Sequence, residues 1–191
     1  MTKFSGLILA AGNGIRFGEK KQFIQLKEKP IWQWSYDIAK KCLDEVVVVG
    51  VDFKGGKTRQ ESVRIGLKHI TGDRVVIFDA SRPLVTEEQV EKIKEAILEY
   101  PTVSFGITPS DTMYSHQWWK RNGLMALQVP QAFDTKMLKE AHRFNKGQNA
   151  TDDTTLIYER YNITPMIIGG GINLHKLTYP EDLKIIKALC E

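Results

Sequence analysis

Near the start of the chain, Gly12, Gly14 and Gly18 are interleaved with Asn13, Ile15, Arg16 and Phe17, and Glu19-Lys20-Lys21-Gln22-Phe23 comes directly after. Small residues let an anionic ligand come close to the backbone, and glycine tolerates the positive φ that a phosphate-wrapping turn needs. An arginine and two lysines in the same loop suit a polyphosphate. The chemistry on offer is therefore the handling of a nucleotide's phosphates. A Walker loop, with its Gly-Lys-Ser/Thr ending, is absent, and the glycines miss the dinucleotide fingerprint by one residue. Spacing alone leaves a phosphate turn open to several nucleotide chemistries.

The elements that must position this loop can be read from the pattern of apolar runs. Phe4 to Ala11 reads as a strand buried on both faces and leads straight into the glycines. Pro30 stands at the first turn of a helix that turns Ile31, Trp34, Ile38 and Leu43 to one side. Glu45 to Val51, with its run of four valines, reads as a central strand. Arg59 to Ile70 reads as a helix with Val63, Leu67 and Ile70 inward. Val75 to Phe78 is a third strand ending on Asp79. Thr86-Glu87-Glu88-Gln89 is a capping box, opening a helix with Val90, Ile93 and Ile97 on one face. Thr102 to Thr108 is a further strand.

From Pro109 to Phe133 the alternation breaks into short pieces, read as an inserted β-arm with paired strands around Asn122-Gly123. Asp134 caps a helix through Phe144, Thr151 to Tyr161 is helical, Ile163 to Ile168 is a strand, and Pro180 starts the last helix. Alternating strands and helices predict a single α/β domain over residues 1–191, Rossmann-like, with a mostly parallel sheet and helices on both faces. Ligands of such sheets bind at the carboxyl ends of strands, where the glycine loop and Asp79 both fall.

With 191 residues, 42% hydrophobic and 26% charged, the chain has the composition of an ordinary globular domain. Its formal net charge of +4 comes from scattered lysines rather than a basic stripe, which disfavours a nucleic-acid partner and suits a small anionic substrate. Cys42 and Cys190 have no metal-ligand spacing and read as reduced thiols. No signal segment or membrane-length apolar run is visible, so a cytoplasmic protein is expected.

The loop gains meaning from the residues downstream of it. Leu9-Ala10-Ala11-Gly12-Asn13-Gly14-Ile15-Arg16 with Lys21-Gln22-Phe23 resembles the signature of sugar-phosphate nucleotidyltransferases. Gly55-Gly56-Lys57-Thr58-Arg59 with Ser62-Val63, Asp79-Ala80-Ser81-Arg82-Pro83, Asp111-Thr112, Gln128 to Phe133, Thr151-Asp152-Asp153 and Lys176-Leu177-Thr178 agree in order. Together they resemble the 2-C-methyl-D-erythritol 4-phosphate cytidylyltransferase family and, nearly as well, the ribitol-5-phosphate cytidylyltransferases. The fold this implies is of the nucleotide-diphospho-sugar transferase type.

The reaction it implies is attack of a polyol phosphate oxygen on the α-phosphorus of CTP, with Mg²⁺ as cofactor and pyrophosphate released. Under the resemblance Arg16, Lys21 and Lys176 hold the triphosphate and stabilise the transition state, while Ala10, Ala11, Gly12, Gly14, Gly56 and Ser62 surround the nucleotide. Asp79 places the metal or the acceptor beside Arg82. Arg121, reaching across from a partner subunit on the arm, grips the polyol phosphate with Thr112 and Thr151, and Trp118 and Trp119 pack a homodimer. The chain departs from the family pattern in a short Val51–Gly55 segment, in Lys57, in Phe78 where a histidine is usual, and in an extra residue between Asn173 and Lys176. A non-catalytic nucleotide-binding module is the alternative from another class, and the joint presence of Arg16, Lys21, Asp79, Arg121 and Lys176 argues against it.

Overall fold

The computed structural model describes residues 1–145 and 150–190. Strand β1 (Phe4–Leu9) is followed by a small hairpin, β2 (Gln25–Leu26) and β3 (Lys29–Pro30), and by helix α1 (Ile31–Cys42). Next come β4 (Glu45–Val49), α2 (Arg59–Gly66), β5 (Arg74–Asp79), α3 (Glu87–Glu99) and β6 (Thr102–Ile107). A second hairpin, β7 (Met113–Tyr114) and β8 (Trp118–Trp119), precedes β9 (Ala126–Asp134). Helices α4 (Thr135–Phe144) and α5 (Asp153–Tyr161), strand β10 (Met166–Gly169) and helix α6 (Asp182–Leu189) complete the chain.

The long strands form one six-stranded sheet in the order β10-β6-β9-β5-β1-β4. All pairings are parallel except those of β9, which runs antiparallel to both β5 and β6. Successive strand side chains face opposite ways, so each strand supplies two cores. Ile8, Val76 and Phe78 pack under α1 and α3, through Ala39, Val90, Ile93 and Ile97. Leu7, Val75 and Ile77 pack on the other face under α2, α4 and α5, through Val63, Leu138 and Leu156. A smaller cluster of Phe17, Leu26, Ile31, Leu177 and Ile186 ties the glycine loop to the C-terminal part of the chain.

Several expectations need correction. β4 lies at the sheet edge, not its centre. Its valines pack beneath the helices on its two faces, Val46 and Val48 on one side and Val47 and Val49 on the other. The chain then turns back after Gly50, and no described strand is added beyond it. The paired strands of the arm are Met113–Tyr114 and Trp118–Trp119, not segments around Asn122-Gly123. Gly123, with φ of 90°, belongs to a separate turn in which Leu124 N–H donates to Arg121 O. The arm also ends earlier than Phe133, because Ala126–Asp134 is an interior strand. Pro130 hides that strand from a sequence reading, since proline removes a ladder donor. The register supplies the reason it is tolerated: pairing with β6 skips from Ser104↔Gln131 to Phe105↔Gln128, leaving Val129 and Pro130 in a bulge. Pro30 and Pro180 stand just before their helices rather than inside the first turn.

Candidate active site

β1 and β5 are parallel neighbours with Leu9 opposite Asp79, so the glycine loop and the acidic strand end emerge level at one edge. A cleft of about 370 Å³ opens there. Its floor is Leu9, Ala10 and Ala11; its walls are the loop from Gly12 to Arg16, Gly56 to Arg59 with Ser62, Asp79 to Ser81, and the side chains of Lys21, Gln22 and Lys176. The start of α2 faces this space, and its orphan N–H groups favour an anion.

Local chemistry explains the loop's shape. Gly14 has φ of 67°, and its carbonyl accepts from both Phe17 and Gly18 N–H. A Cβ at Gly14 would stand 1.6 Å from Glu19 O, so only glycine fits. Buried Gln22 donates from Nε2 to Gly12 O at 2.9 Å, and Phe17 is anchored in the small C-terminal cluster. The loop is thus held from beneath while Arg16 stays exposed, its guanidinium 5.8 Å from the Tyr179 ring centroid. At Gly55 an added Cβ would lie 2.1 Å from the Ala11 Cβ, so the wall can approach the floor only without a side chain.

Charge is organised around Asp79. Lys176 Nζ donates to its Oδ2 at 2.7 Å, and Arg59 Nε lies 3.7 Å from its Oδ1. Burial alone would push the Asp79 carboxyl up, but Lys176 and Arg59 outweigh it and hold it well below its ordinary value. Arg59 in turn places Nη1 2.5 Å from Asp153 Oδ2. Its own burial is outweighed by Asp153 and Asp79, which raise it further above the usual range. Lys21 donates to Leu177 O at 2.5 Å. Burial, then the nearby Lys176 and Arg16 charges, lower its pKa from 10.5.

Of the residues marked in the sequence, Ala10, Ala11, Gly12, Gly14, Arg16, Lys21, Gly56, Ser62, Asp79 and Lys176 come together in the cleft. Arg82 does not line it. Its guanidinium is mostly buried, with Nη1 donating to Leu174 O, and it fastens the segment carrying Lys176 rather than facing a ligand. Thr112, Arg121 and Thr151 also lie outside the cleft of this one chain; Thr112 and Arg121 are exposed on the arm, where Arg121 Nη1 donates to Ser110 O at 2.7 Å. Arg59 is a site residue that sequence reasoning misses. Its one signal is its place directly after Gly55-Gly56-Lys57-Thr58, at the start of a helix aimed into the site.

Among the described residues no three His, Cys, Asp or Glu side chains gather as a metal cage. Asp79 is the one carboxylate lining the cleft among them, and both its oxygens face cations. Mg²⁺ commonly takes one or two carboxylates together with substrate phosphates and waters. The donor set fits an ion carried in by a triphosphate and does not fit a resident protein cage.

A cleft that collects cations over a small-residue floor is built for phosphoryl chemistry, and the sheet beneath it is that of the nucleotidyltransferases: residues 6–60 match the MobA-like NTP transferase domain. Residues 51–191 match the 2-C-methyl-D-erythritol 4-phosphate cytidylyltransferase family, and the chain belongs to that family. The 2-C-methyl-D-erythritol 4-phosphate cytidylyltransferase of Aquifex aeolicus is 33% identical, covering 98% of this chain and 99% of the relative. That of Clostridium botulinum strain 657 is 30% identical, covering 100% and 99%. The latter alignment runs over 226 positions against the 191 residues here, so the relative carries segments that this chain lacks. The crystal structure of the Thermus thermophilus 2-C-methyl-D-erythritol 4-phosphate cytidylyltransferase superposes with a TM-score of 0.85 at 28% identity, covering 98% of each chain.

Proposed function

We propose that this chain transfers the cytidylyl group of CTP to 2-C-methyl-D-erythritol 4-phosphate and releases pyrophosphate. The observation that carries the reading is the convergence of Arg16, Lys21, Lys176 and Arg59 on one small-residue cleft in a chain of this family. An oxygen of the acceptor's phosphate attacks the α-phosphorus of CTP. The new O–P bond forms as the bond to the β-phosphate oxygen breaks, and pyrophosphate leaves with that electron pair. No general base is required, because the attacking phosphate oxygen is already anionic. The barrier lies in bringing two anions together, so positioned cations do most of the catalysis.

In this reading the glycine loop and the start of α2 cradle the triphosphate, with Lys21 and Arg16 along its oxygens. Lys176 leaves Asp79 and meets the charge that builds on the α-phosphoryl group. Asp79 and the nucleotide phosphates would hold Mg²⁺, which would supply further neutralisation of the phosphate oxygens. Arg121 of a partner subunit grips the acceptor's phosphate, and Thr112 and Thr151 add hydroxyls to it. Support for a homodimer comes from the arm, where Tyr114 and Trp118 are 64% and 77% exposed; aromatic side chains are enriched at interfaces. The reading places the enzyme in the cytoplasm, and no helix among the described residues is long and apolar enough to cross a membrane.

The test offers each nucleoside triphosphate with methylerythritol phosphate, ribitol 5-phosphate or a hexose 1-phosphate and monitors Mg²⁺-dependent pyrophosphate release. CTP with methylerythritol phosphate should turn over fastest. Silence with every pairing rejects the enzyme reading, whereas a preference for ribitol phosphate changes only the acceptor.

A further inference from the structure

Asp79 faces two cations that are held in different ways. Lys176 reaches it through one hydrogen bond, Nζ to Oδ2 at 2.7 Å, and the lysine side chain is 36% exposed. Arg59 is fixed from several sides. It is the first residue of α2, directly after Thr58, whose Oγ1 accepts from Glu61 N–H and caps the helix. Its neighbour Gln60 is buried and ties the helix start to Asn145 O and Ala150 N–H. The Arg59 guanidinium gives Nη1 to Asp153, a carboxylate only 1% exposed.

The guanidinium edge turned toward Asp79 makes no hydrogen bond. Nε and Nη2 share one edge of the planar group, the edge that pairs with a carboxylate in bidentate fashion. Nε stands 3.7 Å from Asp79 Oδ1, beyond hydrogen-bond range, and Nη2 is buried with no partner among the described residues. A buried donor without an acceptor is unfavourable, and so is a buried carboxylate stripped of its cation. In the reading above, Lys176 leaves Asp79 for the α-phosphoryl group. That departure removes the one cation hydrogen-bonded to the Asp79 carboxylate among the described residues.

We propose that Arg59 is a positioning residue that takes Asp79 over as Lys176 moves to the nucleotide, the carboxylate closing onto the Nε–Nη2 edge while Asp153 keeps Nη1. Arg59 thus acts through Lys176 and touches no phosphate. The carboxylate oxygens keep further lone pairs, so this pairing does not exclude a metal ion at Asp79. The proposal rests on the cytidylyl-transfer reading, and the two can fail separately.

The test compares crystal structures of the full chain alone and with Mg²⁺ and the α,β-methylene analogue of CTP. In the complex Lys176 should have left Asp79, with Nε and Nη2 of Arg59 each within about 3.1 Å of an Asp79 oxygen. Lys176 still on Asp79, or Arg59 on a phosphate oxygen, overturns the proposal and leaves the function standing. Failure of CTP itself to bind rejects the function and the proposal with it. In kinetics, Arg59→Gln should lower kcat at least roughly tenfold and change KM for CTP less than about threefold, because only the release of Lys176 is impeded. Arg59→Lys, which returns a cation to Asp79, should recover part of that kcat. A rise in KM with kcat intact places Arg59 on the nucleotide and overturns the assignment. So does an Arg59→Lys enzyme no faster than Arg59→Gln. If Arg59→Gln fails to fold, the pair of crystal structures decides.

Discussion

Lys21 is half-buried between two other cations, and the free protein carries that charge reluctantly. On the proposed assignment a bound triphosphate would supply the missing counter-charge, so ligand binding and protonation of Lys21 would reinforce each other. A lysine whose pKa is lowered loses its proton sooner as pH rises, and the free site loses its triphosphate grip with it. The alkaline limb of kcat/KM for CTP should therefore fall below pH 10.5, the ordinary lysine value, and move upward in Lys21→Arg. A limb that stays put in that variant assigns the titration elsewhere. Lys21→Ala should reduce kcat by roughly 10²–10³-fold, the usual loss of one positioned stabilising donor, with an unchanged melting profile. Near-normal turnover would remove Lys21 from the triphosphate site. Arg59 shows why a single sequence reveals some of these residues and not others. Arg16 and Lys21 sit inside a recognisable glycine pattern, whereas Arg59 acts because β5 and α5 bring Asp79 and Asp153 to it, and neither distance is visible along the chain.

The glycine loop works because its backbone takes a course that side chains forbid. At Gly14 any Cβ meets the Glu19 carbonyl, which cannot withdraw without undoing the turn. Gly14→Ala should leave global stability within about 1–2 kcal/mol, since the loop is peripheral to both cores, yet raise KM for CTP by roughly tenfold or more. Denaturation curves and initial rates check the two halves separately; an unaltered KM would show that the loop does not shape the nucleotide. Other elements are readable from pattern to differing degrees. α3 can be placed from Thr86, Gln89 and its apolar face alone, and both reciprocal capping bonds are present. β9 cannot, because a proline in a strand reads as an ending unless the bulge opposite it is known. β4 is readable as a strand but not as an edge. Valines report cover by helices above and below, and say nothing about a missing neighbour at the side.

For the molecule as a whole, the cleft of one chain holds the residues assigned to the triphosphate but none of the three assigned to the acceptor's phosphate. If Arg121 serves the partner's cleft, activity belongs to a pair. Mixing Lys21→Ala with Arg121→Ala chains under exchange should then recover about a quarter of wild-type turnover, because half the dimers are mixed and each has one intact site. No recovery, with mixed dimers verified by mass, would show that Arg121 acts within its own chain. The parallel sheet, the order of its helices and the location of the nucleotide loop are all legible in the alternating pattern. The arm's true extent is not, because Met113–Tyr114 and Trp118–Trp119 are too short to show a period. The segment from Leu174 to Leu177 braces the site from the far end of the chain. Lys176 meets Asp79, Leu177 O holds Lys21, Leu177 N–H donates to Ser81 O, and Leu174 O takes Arg82. On the ribosome the glycine loop emerges well before the segment from Leu174 to Leu177, so these four ties wait for residues made much later. Until then the nascent loop lacks both its brace and its last cation. On the proposed assignment, competence to hold a triphosphate thus waits on the synthesis of Leu174 to Leu177.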